Sequence, residues 1–332
     1  MSRSEIDMKR ISIVIPCYRS AETLPHVLGE IAAEFRQQNT FDYEIILVSD
    51  ASPDSVYDVI CEYAMKDSHI KGVEMARNFG QHAALMAGYR LVTGDIVVSM
   101  DDDGEIPTSG MFQLIKKLEE GYDVAYASYN NIVRGLFRAF GTVLNDWMSN
   151  ILLEKQKDIK ISSFFAAKRF VINDVIRYTA SYPYIPGLVM RTTKKIANVE
   201  MTLRNRLAGS SGYTFKKLLS LWLNGFTAFS VKPLRIASLV GVVCTGVGVL
   251  YGLYIIIHRL LNPSIPAGYS SMMAVLLFIG GMIMLMLGMI GEYVGRIYIS
   301  INNSPQYVIR QTINLGEENH QQGKAEERTD CE

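Results

Sequence analysis

The stretch DIVVSMDDDGEIP, residues 95–107, places three consecutive aspartates directly after an apolar run rich in β-branched residues. Such a run is typical of a buried strand. Asp101 and Asp103 stand at alternate positions, a spacing that allows two carboxylates to surround one hard cation. Mg²⁺ and Mn²⁺ prefer oxygen ligands and are commonly held by one or two carboxylates together with substrate phosphates. The sequence therefore predicts a metal site here, with a solvated acidic loop as the alternative.

Similar apolar runs occur on both sides of this stretch, at residues 11–15, 44–49, 72–76 and 123–128. Helix-like stretches alternate with them near residues 22–38, 54–66, 80–91 and 109–120. Strands that alternate with helices predict an α/β fold whose parallel sheet is covered on both faces, with ligands bound beyond the carboxyl ends of the strands. Polar residues do follow the strand ends, at Pro16–Tyr18, Asp50–Asp54, Arg77–Gly80 and Asp101–Asp103. Because Asp50 follows a neighbouring strand, it favours the metal site over the acidic loop.

Several classes of protein are disfavoured. No Gly-x-Gly-x-x-Gly follows the first strand and no Gly-Lys-Ser/Thr is present, which argues against a dinucleotide-binding Rossmann domain and excludes a P-loop. The 4 cysteines lie far apart, so neither a disulfide scaffold nor a cysteine zinc site is supported. Lys+Arg (33) and Asp+Glu (33) cancel, which gives no indication of a nucleic-acid partner. The first residues lack the apolar segment of a signal peptide, so we do not expect a secreted enzyme.

Two charge-free segments, Ile236–Ile257 and Tyr269–Gly291, predict a pair of transmembrane helices. At about 1.5 Å per residue, each is long enough for a hydrocarbon core of about 30 Å. Basic residues flank the pair on its outer sides, whereas the connecting loop carries only His258 and Arg259. The positive-inside rule then places both ends of the pair in the cytoplasm. Two buried core helices are the alternative.

Two further segments, residues 131–152 and 215–226, carry apolar residues at helical spacing with basic residues beside them. We expect interfacial helices that lie against the bilayer, although such stripes also occur in ordinary cores. The segment after Leu315 is polar and lacks aromatic residues, so disorder is expected from about residue 315.

The motifs ISIVIPCYRSAETL (11–24), ARNFGQHAALMAG (76–88), MDDDGEIP (100–107) and GEYVGRIYISINNSPQYVIR (291–310) together resemble the family-2 polyprenyl-phosphate glycosyltransferases of GT-A fold. That group includes bactoprenol glucosyltransferases, undecaprenyl-phosphate aminoarabinose transferases and dolichol-phosphate mannose synthases. The resemblance covers about residues 11–310 and is most specific in the last motif.

The resemblance implies a role for particular residues. Pro16 and Tyr18 match a loop that borders the nucleotide, and Asp50 matches a carboxylate that contacts the base. Asp101 and Asp103 match the Asp-x-Asp metal and diphosphate site, with Asp102 in its middle position. Arg206 matches an arginine near the phosphates. The catalytic residues that follow are Asp103 and Arg206, and the cofactor is Mg²⁺ or Mn²⁺.

The sequence also departs from the family. Ser163 stands where several members carry an aspartate, which puts a protein general base at that position in doubt. A lipid phosphate is already largely ionised at pH 7, because its second pKa is about 6, and therefore largely does not need a base. Gly212 stands where the mannose synthases carry a lysine, which favours UDP over GDP as the nucleotide.

The main difficulty of such a reaction is electrostatic. Two unit charges 4 Å apart interact by about 4 kcal/mol at an effective dielectric constant of 20, so two phosphorylated substrates need cations in order to meet. Arginine suits this task because its guanidinium group matches phosphate geometry. Arg206 is the main candidate. Arg77, Lys168, Arg169 and Arg204 are further candidates, for which ordinary surface charge is the favoured interpretation.

The function predicted is inverting transfer of a sugar from a nucleotide-diphosphate sugar, with UDP favoured, to a polyprenyl phosphate, with undecaprenyl phosphate favoured. Mannose-synthase activity, a processive polysaccharide synthase and a degenerate membrane scaffold are the alternatives. Self-association into a homo-oligomer is plausible for a pair of membrane helices.

Three parts are expected: a cytoplasmic GT-A domain (1–230), a two-span hairpin (231–295) and a cytoplasmic C-terminal segment (296–332). The protein is thus expected in the cytoplasmic membrane, with its catalytic domain and both termini in the cytoplasm.

Overall fold

The computed structural model describes residues 9–38, 40–129, 159–202, 204, 232–261, 269–302 and 305–315. Contacts divide the chain into two units. The sheet unit comprises Met1–Gly212 with Ser304–Glu332, and the helical unit comprises Tyr213–Asn303. The expected interfacial helices at 131–152 and 215–226, and the expected disorder after 315, lie outside the described residues.

The described part of the sheet unit contains one sheet of eight strands in the order β7-β5-β6-β4-β1-β2-β3-β8. These strands are β1 (Arg10–Cys17), β2 (Asp42–Ser49), β3 (Ile70–Met75), β4 (Ile96–Ser99), β5 (Val124–Tyr129), β6 (Phe165–Lys168), β7 (Ile196–Met201) and β8 (Ile309–Ile313). Strands β4, β1, β2 and β3 pair in parallel, as do β5 and β7. Strand β6 runs antiparallel to β4 and β5, and β8 runs antiparallel to β3. The predicted α/β fold with a mainly parallel sheet is confirmed.

Helices connect the strands as the alternating pattern predicts. They are α1 (Leu24–Gln37), α2 (Val56–Lys66), α3 (Gln81–Tyr89), α4 (Gly110–Glu119), α5 (Arg169–Val175) and α6 (Ile185–Thr192). Helix α1 shows why these segments are helical, since a proline stands in its first turn and its buried residues recur every three or four positions. Helices α1, α2 and α4 supply side chains to one core with the apolar faces of the central strands.

Helix α3 is packed more tightly against the sheet than the helices with one apolar face. Every residue from Ala83 to Tyr89 is buried. At Gly88 an added Cβ would collide with Cγ1 of Val14 and lie 3.2 Å from Cγ2 of Val48. Glycine is therefore required here, because it lets the helix backbone approach β1 and β2 closely.

Residues 305–315 return to the sheet unit after the helical unit. The backbone N–H of Ala76 donates to the carbonyl of Val308 at 2.8 Å, beside the pairing of β8 with β3. The buried Gln306 donates from Nε2 to the carbonyl of Ala180 at 2.9 Å. Asn314 adopts φ 59° and donates from Nδ2 to the carbonyl of Ile70 at 3.0 Å. This segment is thus held on several sides by the sheet unit.

The helical unit contains two long helices in its described part, α7 (Lys232–Leu261) and α8 (Tyr269–Ile301). They contact each other at Gly241, where an added Cβ would lie 2.8 Å from Cε of Met286. One described stretch, Phe278–Gly295 in α8, is both long and apolar enough to span a bilayer, and a shorter apolar stretch, Gly241–Tyr254, lies in α7.

Candidate active site

Four strand ends bring the polar residues of the sequence motifs to one edge of the sheet. Because β4, β1, β2 and β3 are parallel neighbours, the loops that follow them start at the same edge. Pro16 lies near the end of β1, with Tyr18 just beyond it, and Asp50 directly follows β2. Asp101, Asp102 and Asp103 follow β4. Arg206 lies outside the described residues.

Asp102 joins the loop after β4 to the loop after β1. Its Oδ2 accepts a hydrogen bond of 3.0 Å from the backbone N–H of Tyr18, and its carbonyl accepts one of 2.7 Å from the Thr23 hydroxyl. The Tyr18 ring is left 44% exposed. An exposed aromatic ring on an anchored loop can stack on a planar ligand, which is compatible with the predicted nucleotide contact.

Asp50 orders the loop after β3. Its Oδ1 accepts a hydrogen bond of 2.7 Å from the backbone N–H of Phe79, and its Oδ2 accepts one of 2.8 Å from that of Gly80. Burial raises the pKa of Asp50, and these two amide bonds oppose the rise. Gly80 adopts φ 93°, a conformation that glycine tolerates without strain. The predicted contact of Asp50 with a base stays a prediction.

Asp101 is held by donors from two other elements. Gln81, the first residue of α3, donates from Nε2 to Oδ1 of Asp101 at 2.8 Å. The hydroxyl of Ser163 donates to Oδ2. Burial raises the pKa of Asp101 to about 6; the Ser163 hydrogen bond opposes this rise, and the Asp103 and Asp102 carboxylates add to it. A bound cation would relieve this crowding of negative charge.

Asp103 belongs to a chain of contacts that reaches Arg204. Its Oδ1 accepts a hydrogen bond of 3.1 Å from the backbone N–H of Glu105. The carbonyl of Glu105 accepts one of 2.8 Å from the backbone N–H of Arg204, whose guanidinium pairs with Glu30 at 2.5 Å. Through these two contacts, Arg204 connects the chain after β7 to the loop that contains the three aspartates and to Glu30.

The carboxylates fit a divalent cation that is shared with a substrate. No group of three or more His, Cys, Asp or Glu side chains forms a metal site within the described ranges. Asp101 and Asp103 supply two carboxylates of one short loop. Since Mg²⁺ and Mn²⁺ sites often contain one or two carboxylates completed by phosphate oxygens and water, this donor set is sufficient.

The other basic candidates lie in different places. Arg77 is exposed in the loop after β3, with its guanidinium carbon 4.6 Å from the centre of the Phe79 ring. Lys168 pairs in register with Ile96, the first residue of β4, and Arg169 follows it. Because β6 is antiparallel, these two residues lie at the edge opposite to Asp101, about 16 Å away along the chain direction of β4. Lys168 and Arg169 therefore lie too far away to hold a phosphate beside the aspartates, and the favoured interpretation of ordinary surface charge agrees with this position.

Ser163 is the contact that sequence reasoning missed. The resemblance to the family drew attention to this position, but only as a departure from an aspartate. Pairing of Phe165 with Ser99 across the antiparallel strands places residue 163 near the end of β4. Only this pairing between distant segments shows that Ser163 lies beside Asp101. No local sequence pattern contains that information.

Comparison with known proteins agrees with this architecture. Glycosyl transferase family 2 matches residues 12–176, and the GtrB C-terminal hairpin matches residues 232–297. The undecaprenyl-phosphate 4-deoxy-4-formamido-L-arabinose transferase of Photorhabdus laumondii is 31% identical over 95% of this chain and 98% of its own length. The SfII prophage-derived bactoprenol glucosyl transferase of Shigella flexneri is 29% identical over 91% of this chain and 98% of its own length.

A solved structure has the same fold. Glucosyl-3-phosphoglycerate synthase from Mycobacterium tuberculosis, in complex with Mn²⁺ and UDP-glucose, superposes with a TM-score of 0.51 at 18% identity. The match covers 66% of this chain and 77% of that one. The sheet unit therefore has the GT-A fold of nucleotide-sugar transferases. The chain belongs to glycosyl transferase family 2, and the protein is a glycosyltransferase that carries a GtrB-type C-terminal hairpin.

Proposed function

We propose that this glycosyltransferase transfers a sugar from a nucleotide-diphosphate sugar, with a UDP-sugar favoured, to a polyprenyl phosphate, with undecaprenyl phosphate favoured. The observation that carries the proposal is the pair Asp101 and Asp103 at the end of β4, in a chain whose later helices match the GtrB hairpin. The full-length relatives named for undecaprenyl phosphate and bactoprenol support the acceptor. The UDP-glucose complex of the M. tuberculosis synthase is consistent with the donor.

Asp101 and Asp103 are the proposed ligands of Mg²⁺ or Mn²⁺. When bound, the ion supplies positive charge that neutralises the diphosphate and stabilises the leaving nucleotide. The two carboxylates orient the donor, while Pro16, Tyr18 and Asp50 form or order the loops that border the nucleotide. Asp102 fixes the position of the Tyr18 loop.

Arg206 is the proposed phosphate-binding cation. Its sequence position is two residues beyond Arg204, whose backbone is hydrogen-bonded to Glu105 in the aspartate loop. An arginine close to two phosphorylated substrates offsets the repulsion between them.

The acceptor class is consistent with the groups around Asp101. A hydroxyl acceptor requires a base, whereas a phosphate at pH 7 is already largely ionised. Ser163 occupies the position at which several family members carry an aspartate, and its hydroxyl is engaged as a donor to Asp101. Direct displacement by a phosphate oxygen, with inversion at the anomeric carbon, needs no carboxylate at that position.

The membrane arrangement is supported by chain connectivity. The chain leaves the sheet unit before α7 and returns to it after α8, where β8 pairs with β3. An even number of crossings is the arrangement that this return to the sheet unit favours. Exposed apolar side chains line both helices, among them Leu250 and Leu260 in α7 and Met284 and Leu287 in α8. We infer two spans, with the sheet unit in the cytoplasm.

Transfer can be tested with the full chain in membranes. Radiolabelled UDP-sugars and GDP-mannose are incubated with undecaprenyl phosphate, with and without EDTA. We expect lipid-linked sugar from a UDP-sugar, its loss with EDTA and its loss in Asp103→Ala. The variant Asp58→Asn, at an exposed position on α2, is the matched control and should remain active. Transfer that persists in EDTA contradicts the metal role. Transfer from GDP-mannose alone contradicts the donor, and nucleotide binding without any transfer supports a scaffold.

The topology can be tested by cysteine labelling in intact cells. A membrane-impermeant maleimide should label Ser264→Cys, in the loop between the spans, when Cys331 is replaced by serine. The native Cys331 should be labelled only after the cells are permeabilised. The reverse pattern would place the catalytic unit outside the cell and overturn the proposal.

A further inference from the structure

Two neutral side chains donate hydrogen bonds to the carboxylate of Asp101, one to each oxygen. Gln81 donates to Oδ1 at 2.8 Å and Ser163 donates to Oδ2. Each carboxylate oxygen has two lone pairs, so each donor leaves one free for a further partner. The carboxylate is therefore oriented but still able to bind a cation.

Both donors come from elements that the fold fixes independently. Gln81 begins α3 directly after Gly80, whose N–H is bound to Asp50 at 2.8 Å. Ser163 precedes β6, which pairs with β4 through Phe165 and Ser99. Since the two elements approach Asp101 from different parts of the chain, rotation of its carboxylate would break at least one of the hydrogen bonds.

We infer that Gln81 and Ser163 are positioning residues that orient Asp101 for a divalent cation, an inference that rests on the proposed function. Partners that orient the ligands of a metal typically contribute about 10- to 100-fold to metal affinity or activity. The residue types suit this task, because both are uncharged donors. An aspartate at position 163 would place another carboxylate against Asp101 and would repel it.

A purely structural role is the competing explanation, in which the two hydrogen bonds only satisfy a half-buried carboxylate. The two roles differ in what a lost donor does. A lost structural bond lowers the thermal unfolding midpoint and the maximal rate, and added metal does not correct it. A lost positioning bond weakens metal binding, and a saturating metal concentration restores the rate.

The test measures Mn²⁺ binding by electron paramagnetic resonance, with the purified full chain in detergent and UDP present, because phosphate oxygens complete the proposed site; UDP without protein is the blank. Ser163→Ala and Gln81→Leu should each weaken Mn²⁺ binding by about 10-fold or more. Ser163→Thr keeps the hydroxyl and should stay within about 3-fold of the wild type, since the donor is retained. Ser162→Ala is the matched control, because that hydroxyl donates to the carbonyl of Phe164 at 2.8 Å, and it should bind Mn²⁺ like the wild type. In the transfer assay, saturating Mn²⁺ should restore most of the rate of Ser163→Ala.

Asp101→Asn separates failure of this inference from failure of the proposed function. If the wild type does not bind Mn²⁺, or Asp101→Asn binds it equally well, the metal site itself is wrong. If Asp101→Asn loses binding while Ser163→Ala and Gln81→Leu bind like the wild type, the positioning role is overturned and the metal site stands. Should one alanine or leucine variant fail to fold, the other variant and Ser163→Thr decide the question.

Discussion

Asp102 accepts a hydrogen bond of 3.0 Å from the backbone N–H of Tyr18, so the middle residue of the aspartate triplet binds the loop that follows β1. Asp101 and Asp103 occupy the flanking positions. The three adjacent carboxylates therefore have separable tasks. Asp102 connects two strand-end loops, and the other two are the proposed cation ligands.

Substitution of Asp102 should separate these tasks. A hydrogen bond to a charged group contributes about 1.5–3 kcal/mol, so Asp102→Ala should lower kcat/KM for the nucleotide sugar by about 10-fold or more. Asp102→Asn keeps an oxygen acceptor for the Tyr18 N–H, and we expect a loss of about 3-fold or less. Steady-state kinetics with Asp58→Asn as control measure the effect. If Asp102→Asn is as inactive as Asp103→Ala, Asp102 itself is a cation ligand.

A second prediction concerns pH and the opposite end of the sheet. Glu44 is fully buried and accepts hydrogen bonds from Lys71 at 2.6 Å and from the Ser12 hydroxyl at 2.5 Å. Burial alone would raise the pKa of Glu44, but the hydrogen bonds from Lys71, Ser12 and Thr93 reverse this and lower it from 4.5 to about 2. The carboxylate therefore stabilises the folded state fully above about pH 4.5, and this contribution is lost as the pH falls towards 2.

The size of this contribution is about 3 kcal/mol. Glu44→Gln should lower the thermal unfolding midpoint at pH 7 and flatten the decline of that midpoint between pH 4.5 and 2.5. Glu62→Gln removes an exposed pair with Lys66 and should change little, because surface pairs contribute little to stability. An unchanged acid profile in Glu44→Gln would show that other groups set the acid limit.

Much of the fold could be predicted because its first half is built from local patterns. Strands β1 to β5 and helices α1 to α4 lie where apolar runs and helix-like stretches alternate. Their parallel order then follows from the rules for such alternation, and it brings Tyr18, Asp50 and Asp101 to one edge.

The rest depends on contacts between distant segments. Strand β6 has only four residues, FAAK, and its antiparallel direction comes from pairing with β4 and β5. Because β6 runs antiparallel to β4, Lys168 lies away from the site and Ser163 lies in it. Strand β8, IRQTI, carries a charged and two polar residues and pairs at an edge, so its sequence has no buried-strand pattern.

Two glycines in helices give opposite predictions for the same change to alanine. At Gly88 the new Cβ would collide with Val14, and overpacking of this kind costs about 1–3 kcal/mol. At Gly29, in α1, the space is open, and alanine should stabilise the helix by about 0.5–1 kcal/mol. Thermal unfolding in detergent should therefore show a lower midpoint for Gly88→Ala and a slightly higher one for Gly29→Ala. Equal midpoints would show that α3 can move away from the sheet at little cost.

The last prediction concerns the segment that follows the helical unit. Asn314 combines a left-handed backbone with a side chain that donates to the carbonyls of Ala64 and Ile70. Asn314→Gly keeps the backbone conformation but loses hydrogen bonds that contribute about 1 kcal/mol each. Asn314→Ala loses the same hydrogen bonds and keeps a Cβ in the left-handed region, which asparagine tolerates better than alanine and which costs alanine about 1–2 kcal/mol more than glycine.

We therefore expect hydrogen exchange in β3 and β8 to quicken in the order wild type, Asn314→Gly, Asn314→Ala, as followed by mass spectrometry. Gln311→Ala, which removes an exposed hydrogen bond from β8 to Glu74 in β3, is the control and should exchange nearly like the wild type. Equal protection in all four proteins would mean that Asn314 does not secure β8. The pairing with β3 would then depend on the backbone ladder and on the packing of Ile313 against Gly72.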